Sequence, residues 1–349
     1  MSLLLRSSWV VCALLLTAGL PVMSQPVLSN ADDAEIELFV DLEAAGFSGK
    51  ITALLPTDGS RGFDPGFVFI SGLTADNIAK NDAIYHADLE GNVTQLVQGL
   101  EDPFSLVFAE GEYGEGILFS EIGAQRIARL LPDGTVTTTA ELERFPFQLT
   151  YGPEGLLYFT TFDGGEIRRV TAEGVEEIFA TVPLPETGGA EVLFSGVEGL
   201  LYDESGAFGG GLLASTYTTA PLEDEPLQVD VIYHVSADGS AVTNLLPDDQ
   251  RLSAIVQLAP APNGQVYVPT FGSEAAGDGA LYRLSPDGSL ETLATQLDAE
   301  FAFWLSPAQS PQGYGLYVCD WNGTGDSESP GLIWRIRSAS AAQAWQHLR

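Results

Sequence analysis

The chain has 349 residues, of which 48 are Asp or Glu and 14 are Lys or Arg, so its formal net charge is −34. This balance argues against nucleic acid and anionic membrane surfaces as partners, because both are bound through basic faces. Apolar residues make up 45% of the chain, which argues against a disordered acidic protein. The 38 glycines and 20 prolines are typical of a fold with many turns.

Residues 1–24 have the features of a secretory signal peptide. Arg6 precedes the apolar stretch WVVCALLL, and small residues follow before position 25. We therefore predict a secreted or periplasmic protein that is not inserted in a membrane after cleavage; an uncleaved anchor is the alternative. Cleavage would remove Cys12 and leave Cys319 alone, which excludes an internal disulfide and favours a bacterial source. We expect Cys319 to lie in the core.

One pattern recurs along the chain: an apolar-aromatic-basic-apolar segment that ends in an acidic residue and a glycine. Acid-Gly pairs between β-rich segments predict hairpin turns, because glycine accepts positive φ without steric cost. The segments are AIYHADLEG, RIARLLPDG, EIRRVTAEG, VIYHVSADG and ALYRLSPDG, and they end at Gly91, Gly134, Gly174, Gly239 and Gly288.

A second hairpin precedes each of these segments, as in PFSLVFAEGEYGEGILFSE and PFQLTYGPEGLLYFTTF. Each repeating unit therefore has four predicted strands, which is the size of a β-propeller blade. The longest interval contains two insertions, near residues 183–195 and 218–228.

The two ends of the repeat array complement each other. The strand IELFVDL (Ile36–Leu42) has no hairpin of its own, and the last segment, GLIWRIRS from Gly331, has no fourth strand after it. Pairing the two would leave no free sheet edge. The sequence thus predicts an all-β, six-bladed β-propeller of four-stranded antiparallel blades over residues 36–337, with a linker at 25–35 and a tail at 338–349.

The pattern Pro-x-x-Leu, Gly-x-Leu-Tyr, Ile-x-Arg-Val and Asp-Gly resembles the NHL-repeat and gluconolactonase-like six-bladed propellers, over nearly the whole mature chain. That superfamily mixes hydrolases, lyases, binding proteins and scaffolds, so the resemblance implies the fold more strongly than an activity. In its calcium-dependent lactonases and esterases, Glu, Asn and Asp at the starts of the innermost strands hold a metal in the central channel. Calcium is the one cofactor that the resemblance implies.

Aligning the blades on that pattern gives one residue per blade at the metal position. Only Glu198 among them is a carboxylate, whereas calcium takes six to eight oxygen ligands. Glu198 is therefore the candidate catalytic residue, and the rest of the set departs from the family's pattern. The aligned residues are Ile51, Phe104, Phe147, Glu198, Val256 and Phe303; a shift by one gives Thr52, Ser105, Gln148, Gly199, Gln257 and Trp304.

A second candidate metal site follows the second strand of the last blade. Asp320, Asn322, Asp326 and Glu328 carry oxygen ligands at near-alternate positions around Gly325, which is the spacing of a calcium loop. The alternative is a solvated acidic loop.

A column of basic residues runs through the repeats. His86 and His234 take the position that Arg129, Arg169 and other arginines hold elsewhere. We expect these side chains to brace neighbouring blades and to pair with acidic residues. A histidine-based lyase site is the alternative.

Three functional hypotheses remain open. The first is an exported propeller that binds a small molecule, glycan or protein at the channel mouth, because aromatic rings suit sugar faces and apolar ligands. An apolar plug is the alternative role for the same rings. The second is a metal-dependent lactonase or esterase, and the third is a structural part of an envelope assembly. The predicted ligand-binding residues are Phe104, Phe147, Gln148, Glu198, Gln257, Phe303 and Trp304, with Phe162 and Phe271 nearby.

Overall fold

The structure is a computed structural model. It describes residues 26–29, 34–47, 49–72, 82–161, 164–186, 194–219, 230–246, 251–252, 254–270, 279–297, 299–305, 315–320 and 331–338; the side chains of 34, 299–305 and 338 lie outside this description. Within these ranges, no helix is long and apolar enough to cross a membrane.

Two strands precede the first complete blade: β1 (Val27–Leu28) and β2 (Ala34–Asp41). Blade 1 contains β3 (Lys50–Thr57), β4 (Gly66–Gly72), β5 (Asp82–Ala87) and β6 (Val93–Leu100). Blade 2 contains β7 (Pro103–Phe108), β8 (Ile117–Glu121), β9 (Arg126–Leu130) and β10 (Val136–Glu141). Blade 3 contains β11 (Pro146–Tyr151), β12 (Leu157–Thr161), β13 (Glu166–Val170) and β14 (Glu176–Thr181).

The other three blades follow the same plan. Blade 4 contains β15 (Phe194–Tyr202), β16 (Leu212–Thr219), β17 (Ile232–Val235) and β18 (Val242–Asn244). Blade 5 contains β19 (Ala259–Pro260), β20 (Val266–Thr270), β21 (Gly279–Leu284) and β22 (Leu290–Leu297). Blade 6 contains β23 (Ala299–Leu305), β24 (Gly315–Asp320) and β25 (Leu332–Ser338). One-turn 3-10 helices at Gly111–Tyr113, Pro153–Gly155 and Pro262–Gly264 join the first two strands of blades 2, 3 and 5.

The six-bladed propeller prediction is confirmed. Each blade is an antiparallel sheet: the four strands of blades 1 to 5 neighbour one another in chain order, and in blade 6 the same holds for β23, β24 and β25. The turns between third and fourth strands have the predicted backbone, since the glycine of every repeat segment has positive φ. These are Gly91, Gly134, Gly174, Gly239 and Gly288, with φ between 75° and 88°.

The predicted closure is also confirmed. Strand β2 pairs antiparallel with β25, so that Ile36 lies opposite Ile336 and Asp41 opposite Leu332. The N-terminal strand is thus the fourth strand of blade 6. The segment expected to be a linker adds one more strand, because β1 pairs with the outer strand of blade 5, β22.

Side chains strengthen the closing pair. Glu37 on β2 accepts a hydrogen bond from Arg335, and its carboxylate lies 3.2 Å from Nε of Arg337. The ring of Phe39 contacts Tyr317 of blade 6 at 5.0 Å and Phe67 of blade 1 at 5.9 Å between centroids. Strand β2 therefore fills the gap between the last blade and the first.

The six innermost strands, one from each blade, surround the central channel. We call the end where first and second strands are joined the turn face, and the opposite end, where the innermost strands begin, the loop face. The central strands of the blades are almost wholly buried because blades pack face to face, as in β8 and β12. Cys319 on β24 is buried in this core, as predicted.

We predict that removing residues 25–44 from the mature chain unfolds or aggregates the whole domain, because blade 6 loses its outer strand and leaves a bare sheet edge. A matched truncation that removes only residues 25–33 deletes β1 and keeps β2, and it should melt cooperatively near the full mature chain. Circular dichroism melts and size-exclusion chromatography measure both. An unchanged melting temperature after removal of 25–44 would contradict the role of closure.

Candidate functional site at the central channel

Two glutamines cross-link the channel. The side-chain amide of Gln148 in blade 3 binds both backbone groups of Leu258 in blade 5: Nε2 donates to the carbonyl at 3.0 Å, and Oε1 accepts from the N–H at 3.1 Å. The same Oε1 accepts from the N–H of Leu200 in blade 4 at 2.6 Å. One amide therefore connects three blades.

Gln257 makes the complementary connection. Its Nε2 donates to the carbonyl of Thr52 in blade 1 and, at 3.5 Å, lies against the carbonyl of Phe104 in blade 2. The side chain is only 1% exposed. Both glutamines were predicted to bind ligand; in the structure their amides are occupied by backbone groups of other blades.

The loop-face end of the channel is filled by apolar side chains. Phe104, Phe147 and Val256 form a buried cluster, which we call the plug, and Ile122 and Tyr217 pack against it. The two phenylalanine rings meet edge to face at 4.7 Å. The rings thus take the arrangement expected for a plug rather than for an open mouth, and a ligand-binding role for them stays a prediction.

Glu198 lies at the same level as the plug and is buried, with 4% of its surface exposed. Its backbone carbonyl accepts a 2.6 Å hydrogen bond from the Thr160 hydroxyl of blade 3. Strand register confirms that it is equivalent to Phe104 and Phe147, since all three residues open the β-bulge of an innermost strand.

In blade 6 the register differs from the sequence alignment. Trp304 lies opposite Leu316, the position that Phe108 takes opposite Ile117 in blade 2. Trp304 and its neighbour Phe303 therefore belong near the turn face.

On the same strand Glu300 lies four residues before Trp304, as Phe104 lies four residues before Phe108. Glu300 therefore occupies the backbone position equivalent to Phe104 and Glu198. In blade 1 the equivalent residue is Thr52 rather than Ile51, because Leu54 opposite Phe69 matches Leu106 of blade 2.

The described side chains at this level do not fit a calcium ion. One carboxylate, Glu198, stands among the three apolar side chains of the plug, whereas calcium takes six to eight oxygens. Across the described residues, no group of three or more His, Cys, Asp or Glu side chains is placed to hold a metal.

For the second candidate metal site, the structure describes Asp320 alone. Its carboxylate is buried and accepts a 2.7 Å hydrogen bond from Nε1 of Trp334. Asn322, Asp326 and Glu328 lie outside the described residues, as do Phe162 and Phe271.

Most of the column of bases acts within its own blade. Arg169 pairs with Glu177 at 2.5 Å, and Arg283 with Glu291 at 2.5 Å, each across the third and fourth strands of one blade. The expectation that these side chains brace neighbouring blades was wrong for these pairs, because cross-strand partners are closer. The acidic partners themselves were predicted.

The two described histidines bind backbone carbonyls. Nε2 of His86 contacts the carbonyl of Asp64 at 2.8 Å, and Nε2 of His234 contacts the carbonyl of Gly210. Both residues stand on third strands, which are separated from the channel by two strands.

A buried acid holds the irregular segment that carries Val256 and Gln257. Asp230 accepts hydrogen bonds from the N–H of Ala254 and from the Thr216 hydroxyl. Complete burial raises the pKa of Asp230 to about 8, and these hydrogen bonds oppose the increase.

The turn-face end of the channel is open. A cavity of about 760 Å³, which we call the turn-face cavity, extends inward from this end. A neck of about 150 Å³ continues it to Gln148 and Gln257, and the two share wall residues such as Leu55, Val107 and Thr150. The cavity thus lies on the far side of the glutamines from the predicted mouth.

Aromatic residues surround the turn-face cavity at one repeated position. Phe108, Tyr151 and Tyr202 are each the last residue of an innermost strand, and all three line the cavity. Burial raises the pKa of Tyr151 to about 12, so its phenol stays neutral. Sequence reasoning missed this ring, although PFSLVF, PFQLTY and VEGLLY all end in an aromatic residue.

We predict that Gln148→Leu lowers the free energy of unfolding by about 2–4 kcal/mol, because it leaves buried backbone groups of Leu200 and Leu258 without partners. Gln95→Leu is the matched control: Gln95 is exposed and bonds only Gln98 on its own strand. The control should stay within about 0.5 kcal/mol of the parent. Urea unfolding of both variants measures the difference, and equal losses would refute a cross-linking role.

Comparison with known proteins agrees with this architecture. No family model matches the chain. It is 27% identical to the virginiamycin B lyase of Nocardia farcinica over 243 residues, which cover 66% of this chain and 72% of the relative.

Two solved structures are similar over most of their length. A gluconolactonase from Xanthomonas campestris has a TM-score of 0.57 at 12% identity, covering 90% of this chain and 95% of its own. An auxiliary nutrient binding protein from Bacteroides thetaiotaomicron has a TM-score of 0.55 at 9% identity, covering 90% and 77%. At these identities the likeness concerns the fold alone. The chain is a six-bladed β-propeller, and its fold is similar to that of these two proteins.

Proposed function

We propose that this chain is an exported six-bladed propeller that binds a small molecule in the turn-face cavity. The observation that carries the proposal is the cavity itself. Its volume of about 760 Å³ is typical of ligand pockets, and its walls combine apolar side chains with a few polar groups. Export rests on the signal-peptide features of residues 1–24.

The loop face is a weaker candidate for binding in this conformation. The described residues predicted to bind ligand there are all buried, and the amides of Gln148 and Gln257 already have backbone partners. A ligand at the loop face would have to displace the plug.

Although a relative of this chain is a lyase, the positions of the described histidines do not support histidine chemistry in the channel. The chain contains three histidines, and the two described ones stand on third strands with Nε2 at backbone carbonyls. A lyase would need a proton acceptor that reaches the substrate. Binding is therefore the better-supported function.

We predict that Ala261→Trp abolishes the binding of small molecules that stabilise the parent protein, because the indole fills the cavity that Ala261 lines. Ala237→Trp is the control, since Ala237 is exposed and lies outside the cavity. A thermal-shift screen of a metabolite library on the three proteins measures this. Ligands that still bind Ala261→Trp with unchanged affinity would refute the cavity as the site.

A metal-dependent lactonase or esterase is the second candidate. Two observations favour it: Glu198 and Glu300 share equivalent positions on their strands, and the buried hydroxyl of Thr52 has no hydrogen-bond partner in the structure. The described side chains at this level nevertheless do not supply the six to eight oxygens that calcium takes.

For this candidate we expect no hydrolysis of lactones or esters that EDTA removes and calcium restores. We also expect Glu198→Gln to leave folding intact. The assay compares the parent with Glu198→Gln, and with Glu90→Gln as an exposed control. Calcium-dependent turnover that is lost in Glu198→Gln alone would make the lactonase the function and would remove binding as the primary role.

A further inference from the structure

The described walls of the turn-face cavity carry negative charge. Glu110, Asp203 and Glu204 line it, and no Lys, Arg or His is among the described lining residues. The charged side chains among the described lining residues are all acidic, so Coulomb repulsion would disfavour an anionic ligand. The charge of the cavity walls therefore favours a neutral or a cationic ligand over an anionic one.

Asp203 stays ionised at neutral pH because its pKa is lowered. Burial opposes its ionisation, but hydrogen bonds from the Ser205 hydroxyl and from the backbone N–H groups of Gly210, Phe208 and Ala207 outweigh this effect and lower its pKa. The N–H of Phe208 donates to Oδ2 at 2.7 Å. Asp203 is therefore a carboxylate at neutral pH, next in sequence to the cavity residue Tyr202.

Two lining residues of blade 2, Phe108 and Glu110, already contact a cation of the protein, Arg61, which is not itself among the described lining residues. The guanidinium of Arg61 lies 4.5 Å from the ring centroid of Phe108, and its Nη2 is 3.3 Å from the carboxylate of Glu110. An aromatic face and a carboxylate together thus hold a cation at blade 2. Arg61 also neutralises Glu110.

The same pair of groups recurs at blade 4 without such a partner among the described residues. Tyr202 occupies the register position of Phe108, since Tyr202 lies opposite Leu212 as Phe108 lies opposite Ile117. Glu204 follows two residues later and is exposed, as Glu110 follows Phe108. Both blades therefore place an aromatic ring and a carboxylate at the cavity, and at blade 4 these two groups can contact a ligand.

We infer that the ligand of the turn-face cavity is an organic cation, an ammonium compound with its charged head between Tyr202 and Glu204. The inference rests on the proposed function of this cavity. Tyr151, on the neighbouring blade, supplies a second aromatic wall. The neck beyond is lined mostly by apolar side chains and takes an apolar extension of the ligand.

Choline and dimethylbutanol, its uncharged carbon isostere, test the inference. At matched ionic strength, choline should raise the melting temperature in the millimolar range, and dimethylbutanol should bind at least about tenfold more weakly. Salt should weaken choline binding alone, because charge attraction is screened. Isothermal titration calorimetry on the full mature protein gives both affinities.

Variants separate the site from the general acidity of the protein. Tyr202→Ala and Glu204→Gln should each weaken choline binding about tenfold, whereas Phe145→Ala and Glu90→Gln, an exposed aromatic and an exposed acid elsewhere, should not. Equal losses in the control variants would overturn the inference.

Different results would contradict the cationic ligand and the binding role of the cavity. If dimethylbutanol binds as tightly as choline and Ala261→Trp abolishes both, the cavity binds neutral ligands: the proposed function stands and the cation is wrong. If neither probe and no library compound depends on Ala261, the proposed function itself is wrong.

Discussion

The pairing of β2 with β25 is the contact on which the channel depends, because six blades enclose an axis only when the first and the last meet. The partners are far apart in the chain: Glu37 and Arg335 are separated by 298 residues. The entropy cost of such a closure grows only slowly with loop length, so one well-made strand pair can meet it. Phe39 adds ring contacts to both blade 6 and blade 1, which joins the two ends of the array.

Closure creates a second constraint at the axis. The innermost strand of every blade is a sheet edge, and its unpaired backbone groups face a space too narrow for another strand. The structure meets this need with side chains: Gln148 satisfies both backbone groups of Leu258, and Gln257 reaches the carbonyl of Thr52 on the far side of the channel. Residues predicted to recognise a ligand thus serve the backbone, and with the plug they close one end of the channel. The open end is consequently the turn face.

Local sequence patterns predicted most of this fold. Turn glycines such as Gly134 and Gly288 have the positive φ that their Asp-Gly context predicted. The N-terminal strand that contains Ile36 pairs with β25, as predicted. The level of Glu198 within its blade was also correct. In blade 6 the sequence alignment matched Phe303 to Phe104, whereas the strand register matches Glu300, three residues earlier. The connection between the first two strands of this blade is long, which makes the blade harder to align from sequence.

The roles of individual side chains were harder to predict. The partner of Gln148 is 110 residues away, on a blade that is not its neighbour, and no local pattern specifies such a contact. The aromatic residues at the turn face, by contrast, do recur in the sequence. Phe108 and Tyr151 end equivalent strands. The sequence prediction placed the site at the starts of the innermost strands, where the resemblance implies a metal, and therefore missed both residues.

The charge of the turn face follows from how its hairpins are built. Asp133 accepts a hydrogen bond from the backbone N–H of Thr135, and Asp287 accepts hydrogen bonds from the hydroxyl and the backbone N–H of Ser289. These hydrogen bonds lower the pKa of both carboxyl groups and keep them ionised. Carboxylates that shape the turns therefore also make this face negative. At physiological salt exposed charges act over about 8 Å. A ligand in the cavity would therefore be influenced mainly by the acids of the cavity wall, Asp203 and Glu204. The proposed binding of an organic cation would use this charge, because such walls attract a cation and repel an anion.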